Sequence, residues 1–215
     1  MEQKKNKRFT YYFTAKNSGL IPFFQNLKKD NNNLEFQSFQ IESNYFLIID
    51  APVDFNSKNI FNIICKTEGF HEVDNVFPNP DEALERIYEL DQKDLFSPCE
   101  GQLKETVLPF KRFVWTLLLE PSLIEEYKRV HSIGMAWPEI TANMKSIGVK
   151  DMEIYLHQNR AILIMDTKPD FNLDEIGPKW QSLPREEEWQ KYVAKFQKTD
   201  PNSSIQEKWK DLFSI

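Results

Sequence analysis

Proton transfer near neutral pH is most readily done by histidine, and the chain carries three: His71, His131 and His157. His131 follows Tyr127 by four residues in a stretch of helical character, so imidazole and phenol project from one face. The segment Met135-Ala136-Trp137-Pro138-Glu139 comes next, where Pro138 suits the first position of a helix and holds Trp137 just before it. Taken alone, a Tyr–His pair at this spacing is more often packing with a satisfied polar tip. His157 falls at a predicted hairpin and is expected at the surface. His71, in Phe70-His71-Glu72 with Asp74 near, lacks a third ligand for a metal ion, and no metal site is expected. Asp50 and Asp166 end similar strands, and Asp54 and Asp170 precede helices. Turn and capping roles are expected of these pairs, and Asp166 has the further option of facing a cavity beside Ile162 and Ile164. Trp180, Trp189 and Trp209 crowd the last part of the chain. Indole faces stack on sugar C–H faces while acidic and amide neighbours fix hydroxyls, so sugar binding competes here with ordinary core packing.

The elements that must position these groups follow from a repeat. Leu47–Asn56 reads LIIDAPVDFN and Leu163–Asn172 reads LIMDTKPDFN, with six of ten positions identical at an offset of 116. Upstream, Lys7-Arg8-Phe9 and Lys111-Arg112-Phe113 match at an offset of 104, which leaves 12 additional residues in the second copy. The order fits a tandem duplication. Each copy opens with a strand, Phe9 to Thr14 or Phe113 to Leu119. A helix follows, beginning at Asn17-Ser18 or at Pro121-Ser122. Two strands come next, Glu35 to Ile41 with Tyr45 to Ala51, and Asp151 to Leu156 with Ala161 to Thr167, the latter pair joined at Gln158-Asn159-Arg160. Helices are then expected over Asn59 to Thr67 and Asp81 to Leu90, and over Asp174 to Leu183 and Arg185 to Phe196. A turn at Asp200-Pro201-Asn202 precedes Glu207 to Phe213, read as a helical turn with a closing strand.

Strand, helix, strand, strand, helix is the ferredoxin-like order, and the fold class is α+β with tandem ferredoxin-like domains. The boundaries read 1–92 for a degenerate repeat, 93–109 for a linker and 110–215 for the second domain. One face of each sheet needs cover. A dimeric α+β-barrel-type arrangement provides it, as an internal pseudo-dimer or as a homodimer. The first copy has neither His nor Trp between Ser18 and Leu34 and lacks the added segment, so chemistry is assigned to the second.

Composition narrows the classes. The chain has 215 residues, 40% hydrophobic and 28% charged, which is ordinary for a globular protein. Seventeen Phe, seven Tyr and five Trp supply a core. Six Gly include neither a phosphate-binding loop nor a dinucleotide fingerprint. A net charge of −6 argues against nucleic acid, and the basic cluster Lys4, Lys5, Lys7, Arg8 reads as a solvated tail. The longest apolar stretch, Phe113 to Leu119, is strand-sized, so no membrane partner is expected. Without a signal-peptide pattern, the expected location is cytoplasmic. Cys65 and Cys99 are too few and too far apart for a disulfide framework or a zinc site, and Cys65 is expected buried among Ile60, Phe61, Ile63 and Ile64.

From Lys111 to Ile215 the chain resembles the L-rhamnose mutarotase family. The likeness rests on an ordered set of motifs: Glu125-Glu126-Tyr127-Lys128-Arg129-Val130-His131, Trp137-Pro138-Glu139, Ile154-Tyr155-Leu156, Trp189-Gln190-Lys191-Tyr192 and Asp200-Pro201-Asn202. The resemblance implies a ferredoxin-like enzyme that interconverts the anomers of a deoxy sugar without cofactor or metal. It implies that His131 is the proton donor and that Tyr127 binds substrate. A sugar-binding Tyr on the family's second strand aligns with Met152 here, and a Trp-Trp pair on the last helix aligns with Trp189-Gln190. Trp137 and Asp166 complete the expected sugar contacts. The substrate implied is L-rhamnose, with L-fucose the alternative. Two other readings remain: a deoxy-sugar-binding module without catalysis, and, by fold analogy alone, a small barrel-type oxygenase.

Overall fold

A computed structural model of the chain describes residues 3–16, 19–30, 34–91, 94–198 and 210–215. These form two compact bodies, each an antiparallel five-stranded sheet with helices.

The first body comprises residues 1–85, 94–108 and 212–215. It contains β1 (Gln3–Thr14), α1 (Leu20–Asp30), β2 (Glu35–Ile41), β3 (Asn44–Ala51) and α2 (Ser57–Ile64). The β2–β3 hairpin turns through Glu42 in the left-handed region, at φ 53°. Helix α2 begins in a reciprocal cap: the Asn59 backbone N–H donates to Asn56 Oδ1 at 3.0 Å, and the Asn56 N–H to Asn59 Oδ1 at 2.9 Å. The core joins aliphatic side chains such as Leu20, Leu47 and Ile49 to a set of aromatics, Phe9, Phe13, Phe23, Phe24, Tyr45 and Phe77.

The second body comprises residues 86–93 and 109–211. Its elements are β4 (Glu85–Glu89), β6 (Lys111–Leu118), α3 (Ile124–His131), α4 (Pro138–Ile147), β7 (Val149–His157), β8 (Arg160–Thr167), α5 (Leu173–Gln181), α6 (Glu186–Ala194) and β9 (Lys210–Asp211). Strand β5 (Gln102–Val107) and the terminal β10 (Phe213–Ser214) belong to the first sheet. The strand orders are β10-β2-β3-β1-β5 and β4-β7-β8-β6-β9. Within them, β5-β1-β3-β2 and β9-β6-β8-β7 are each a ferredoxin-like sheet with one further edge strand.

The shared motif has the same structural duty in both bodies. Arg8 donates to both Asp50 oxygens, at 2.7 and 2.6 Å, and Arg112 to both Asp166 oxygens, at 2.7 and 2.5 Å. Lys7 and Lys111 donate to the Phe55 and Phe171 carbonyls. Asn56 and Asn172 cap α2 and α5. In β1–β3 and β6–β8 alike, the Arg and Asp face each other in register.

Four expectations are corrected. Asp81–Leu90 is not a helix: a 3-10 turn at Pro80–Glu82 leads into β4. Ala83, Leu84, Ile87 and Leu90 have helical spacing, but long-range pairing overrides it, with the Leu90 N–H donating to the Met152 carbonyl at 2.8 Å. Residues 93–109, read as a linker, include β5. Cys65 is exposed just beyond α2, whose buried face is Ser57, Ile60 and Ile64. His157 is half-buried at the end of β7. Asn17-Ser18, Asp200-Pro201-Asn202, Trp209 and the start of the Glu207–Phe213 segment lie outside the described residues. Among the described residues no helix is long and apolar enough to cross a membrane.

Candidate active site

The second body encloses a cavity of about 790 Å³ between the helical face of its sheet and helices α3 to α6. Its sheet wall follows from strand alternation. Ile154 pairs with Leu163, and Leu163 with Trp115, giving a row across three strands that lines the cavity. Met152 lies two residues before Ile154 on the same face, and Tyr88 joins from β4.

Helix α3 supplies Tyr127 and His131, which meet as the four-residue spacing requires, with ring centroids 4.2 Å apart. Pro138 stands at the first position of α4, and Trp137 caps it in extended backbone. Helix α6 presents Glu186, Trp189, Gln190 and Val193, the stripe expected at spacings of three, four and seven. Trp137 and Trp189 meet edge to face at 5.2 Å, and Trp137 stacks on Tyr192 at 5.7 Å. Around the imidazole stand Tyr88 at 6.0 Å and Trp189 at 5.8 Å.

His131 is 7% exposed, and its Nδ1 lies 2.8 Å from the Tyr127 carbonyl oxygen. A carbonyl only accepts, so Nδ1 carries the proton and Nε2 keeps its lone pair. Burial lowers the pKa to about 4, more than the Tyr127 carbonyl raises it, so the ring is neutral at pH 7. Burial also raises Tyr127 well above its ordinary value, and lifts Tyr88 to about 12 against a smaller opposing effect of the Thr141 hydroxyl. Both phenols are therefore hydrogen-bond donors at neutral pH.

Of the residues singled out by sequence, His131, Tyr127, Met152, Trp189, Gln190 and Trp137 all line this one cavity. Asp166 does not. It alternates with Met165 and Leu163, which face the helices, so its carboxylate lies on the opposite face of the sheet, held by Arg112. The options beside Ile162 and Ile164 share that opposite face. Sequence reasoning missed Glu186, Tyr88 and Trp115. Glu186 hides in the run Glu186-Glu187-Glu188, which reads as a solvated first turn, although its spacing to Trp189 and Gln190 placed it on their face. Tyr88 was obscured by reading β4 as helix. In the first body, the 104-residue offset puts Phe23 and Leu27 at the Tyr127 and His131 positions, each 1% exposed in the hydrophobic core.

The model of the L-rhamnose mutarotase family matches residues 112–215. An L-fucose mutarotase of Xanthomonas campestris pv. campestris is 28% identical over 103 residues, which is 48% of this chain and 82% of that protein. A UPF0734 protein of Dictyostelium discoideum is 31% identical over 100 residues, 45% of this chain and 78% of its own length. The matched stretch carries every one of the cavity residues except Tyr88, and through it the chain belongs to the L-rhamnose mutarotase family.

Proposed function

We propose that the protein is a sugar mutarotase that interconverts the α and β anomers of a 6-deoxy sugar, L-rhamnose or L-fucose, by opening and reclosing the pyranose ring. The observation that carries this reading is a buried, neutral His131 with Nε2 unprotonated in a cavity walled by indole and phenol rings. In the proposed step, Nε2 takes the proton of the anomeric hydroxyl as the bond from C1 to the ring oxygen breaks and the C1 carbonyl forms. The resulting imidazolium returns that proton to the former ring oxygen. The aldehyde turns about the C1–C2 bond, and the reverse sequence closes the ring on its other face. Atoms and charge balance without a cofactor or metal, and one placed acid/base accounts for about 10²- to 10⁴-fold in rate. His131 thus begins as the base and becomes the proton donor in the second half of the step.

Tyr127 is the phenol whose ring lies against the imidazole, at 4.2 Å between centroids, and it supplies a hydroxyl donor. Trp189 offers an indole, Met152 an apolar surface for the C6 methyl and Gln190 an amide, while Trp137, stacked on Tyr192 and covered by the Arg185 guanidinium at 4.1 Å, backs the Trp189 ring. A second copy that keeps this site and a first that fills the equivalent helix positions with Phe23 and Leu27 fit a tandem duplication with divided labour. The presence of Met152 where the family has a sugar-binding Tyr favours a second reading, a sugar-binding module that does not catalyse. NMR exchange between the two anomeric protons separates them. The mutarotase reading expects exchange of L-rhamnose or L-fucose to be accelerated by the wild-type chain and lost in His131→Ala. Line broadening without acceleration would leave binding alone.

A further inference from the structure

Glu186 is 2% exposed, yet it belongs to the cavity wall. Its Oε1 accepts from Asn143 Nδ2 at 2.9 Å and from Trp180 Nε1 at 3.1 Å. Both donors are neutral, and both go to the same oxygen. Neither Lys nor Arg pairs with this carboxylate among the described residues, and Oε2 takes no hydrogen bond from any of them. The adjacent Arg185 is turned to Glu188 and Glu139 instead. A carboxylate enclosed in this way without a cation is costly. The N-terminal turn of α6 eases that cost but leaves Oε2 an acceptor without a donor. Trp189 and Gln190 stand one helical turn away on the same face.

We propose that Glu186 is the hydroxyl anchor of the site, its Oε2 accepting a hydrogen bond from a ring hydroxyl of the sugar. Asn143 and Trp180 are positioning residues that hold the carboxylate, leaving one oxygen for the ligand. Desolvation raises the carboxyl's pKa, which strengthens its pull on a hydroxyl proton. The site therefore selects a polyhydroxylated ring rather than an apolar ligand that would suit its indoles equally well. The contact is made to a hydroxyl that does not react, so it acts in ground and transition states alike and appears in KM. This inference rests on the mutarotase reading above and adds the polar determinant of its specificity.

Glu186→Gln tests it. The side-chain amide oxygen can still accept from Asn143 and Trp180, while the second oxygen becomes an NH₂ donor, so the fold is preserved and only the cavity-facing chemistry changes. With the full chain and anomeric-proton exchange as the assay, KM should rise about 10- to 100-fold with kcat changing less than about threefold, the scale of a lost hydrogen bond to a charged group. One monodeoxy analogue of the sugar should show the same rise in the wild type and no further rise in Glu186→Gln. Wild-type acceleration with an unchanged KM in a folded Glu186→Gln protein overturns the anchor and leaves the mutarotase reading standing. If the wild type accelerates neither sugar, both fall. Should Glu186→Gln not fold, the wild type still decides, because equal KM values across the monodeoxy series overturn the anchor.

Discussion

The protonation state of His131 makes the sharpest prediction. In the unfolded chain the imidazole titrates near 6.5, while burial brings it to about 4 in the folded protein. The folded pKa is the lower, so below 6.5 the unfolded chain binds a proton that the folded state excludes. Stability from this group is therefore complete above pH 6.5 and is lost as pH falls toward 4. Between pH 7.5 and pH 5 the loss amounts to about 2 kcal/mol, from a full range of about 3. His131→Phe keeps an aromatic ring against Tyr127, Trp189 and Tyr88 but cannot titrate. Urea denaturation at the two pH values should show about 2 kcal/mol more acid sensitivity in the wild type than in the variant. Parallel losses in both would refute the buried neutral imidazole. The same state governs the rate: exchange should hold steady from pH 8 to about 5 and fall below that as Nε2 becomes protonated. An activity that declines above pH 6.5 would instead mean that the resting ring is an imidazolium, and the base-first step would be wrong.

Other consequences can be checked independently. Asp166→Asn leaves Arg112 buried with half its partner, and should cost about 3–5 kcal/mol in urea denaturation while KM of the folded fraction is unchanged; a selective rise in KM would place Asp166 in the sugar site after all. Asp50→Asn should cost a similar amount through Arg8, with no effect on exchange. Tyr88→Phe removes the hydroxyl that meets Thr141, costing about 1 kcal/mol of stability by thermal denaturation and raising KM; unaltered kinetics would exclude β4 from the site. Cys65, exposed beyond α2, should react with a chromogenic disulfide in the native protein, and a thiol that reacts only after unfolding would contradict its exposure.

Much was legible in the chain because it depends on local chemistry. The four-residue step from Tyr127 to His131 dictates that the rings meet on any helix, and Pro138 dictates where α4 starts with Trp137 before it. The repeated Leu-Ile and Asp-Phe-Asn signature announced two strands of one kind, each leading into a capped helix, because strand alternation and N-capping are short-range rules. What the signature is for was not legible. The Asp that ends each strand, Asp50 or Asp166, binds an Arg from the neighbouring strand, a contact set by register across the sheet, and that same register sends Asp166 to the face opposite the cavity. The strand nature of Glu85–Glu89 was decided by β7, since its apolar spacing serves a helix as well as a strand and only pairing partners break the tie. Burial also lay beyond reach. Glu186 and Glu187 are the same residue type side by side, yet one is enclosed with Asn143 and Trp180 and the other is exposed beside Lys191. His131 has the composition of an ordinary histidine, and only the rings packed around it make it neutral. The sequence by itself thus determined the kinds of element and the residues that share a helix face. The tertiary structure decided which face of each sheet meets the helices, which strand completes it and which titratable groups lose their water, because each depends on contacts between residues far apart along the chain.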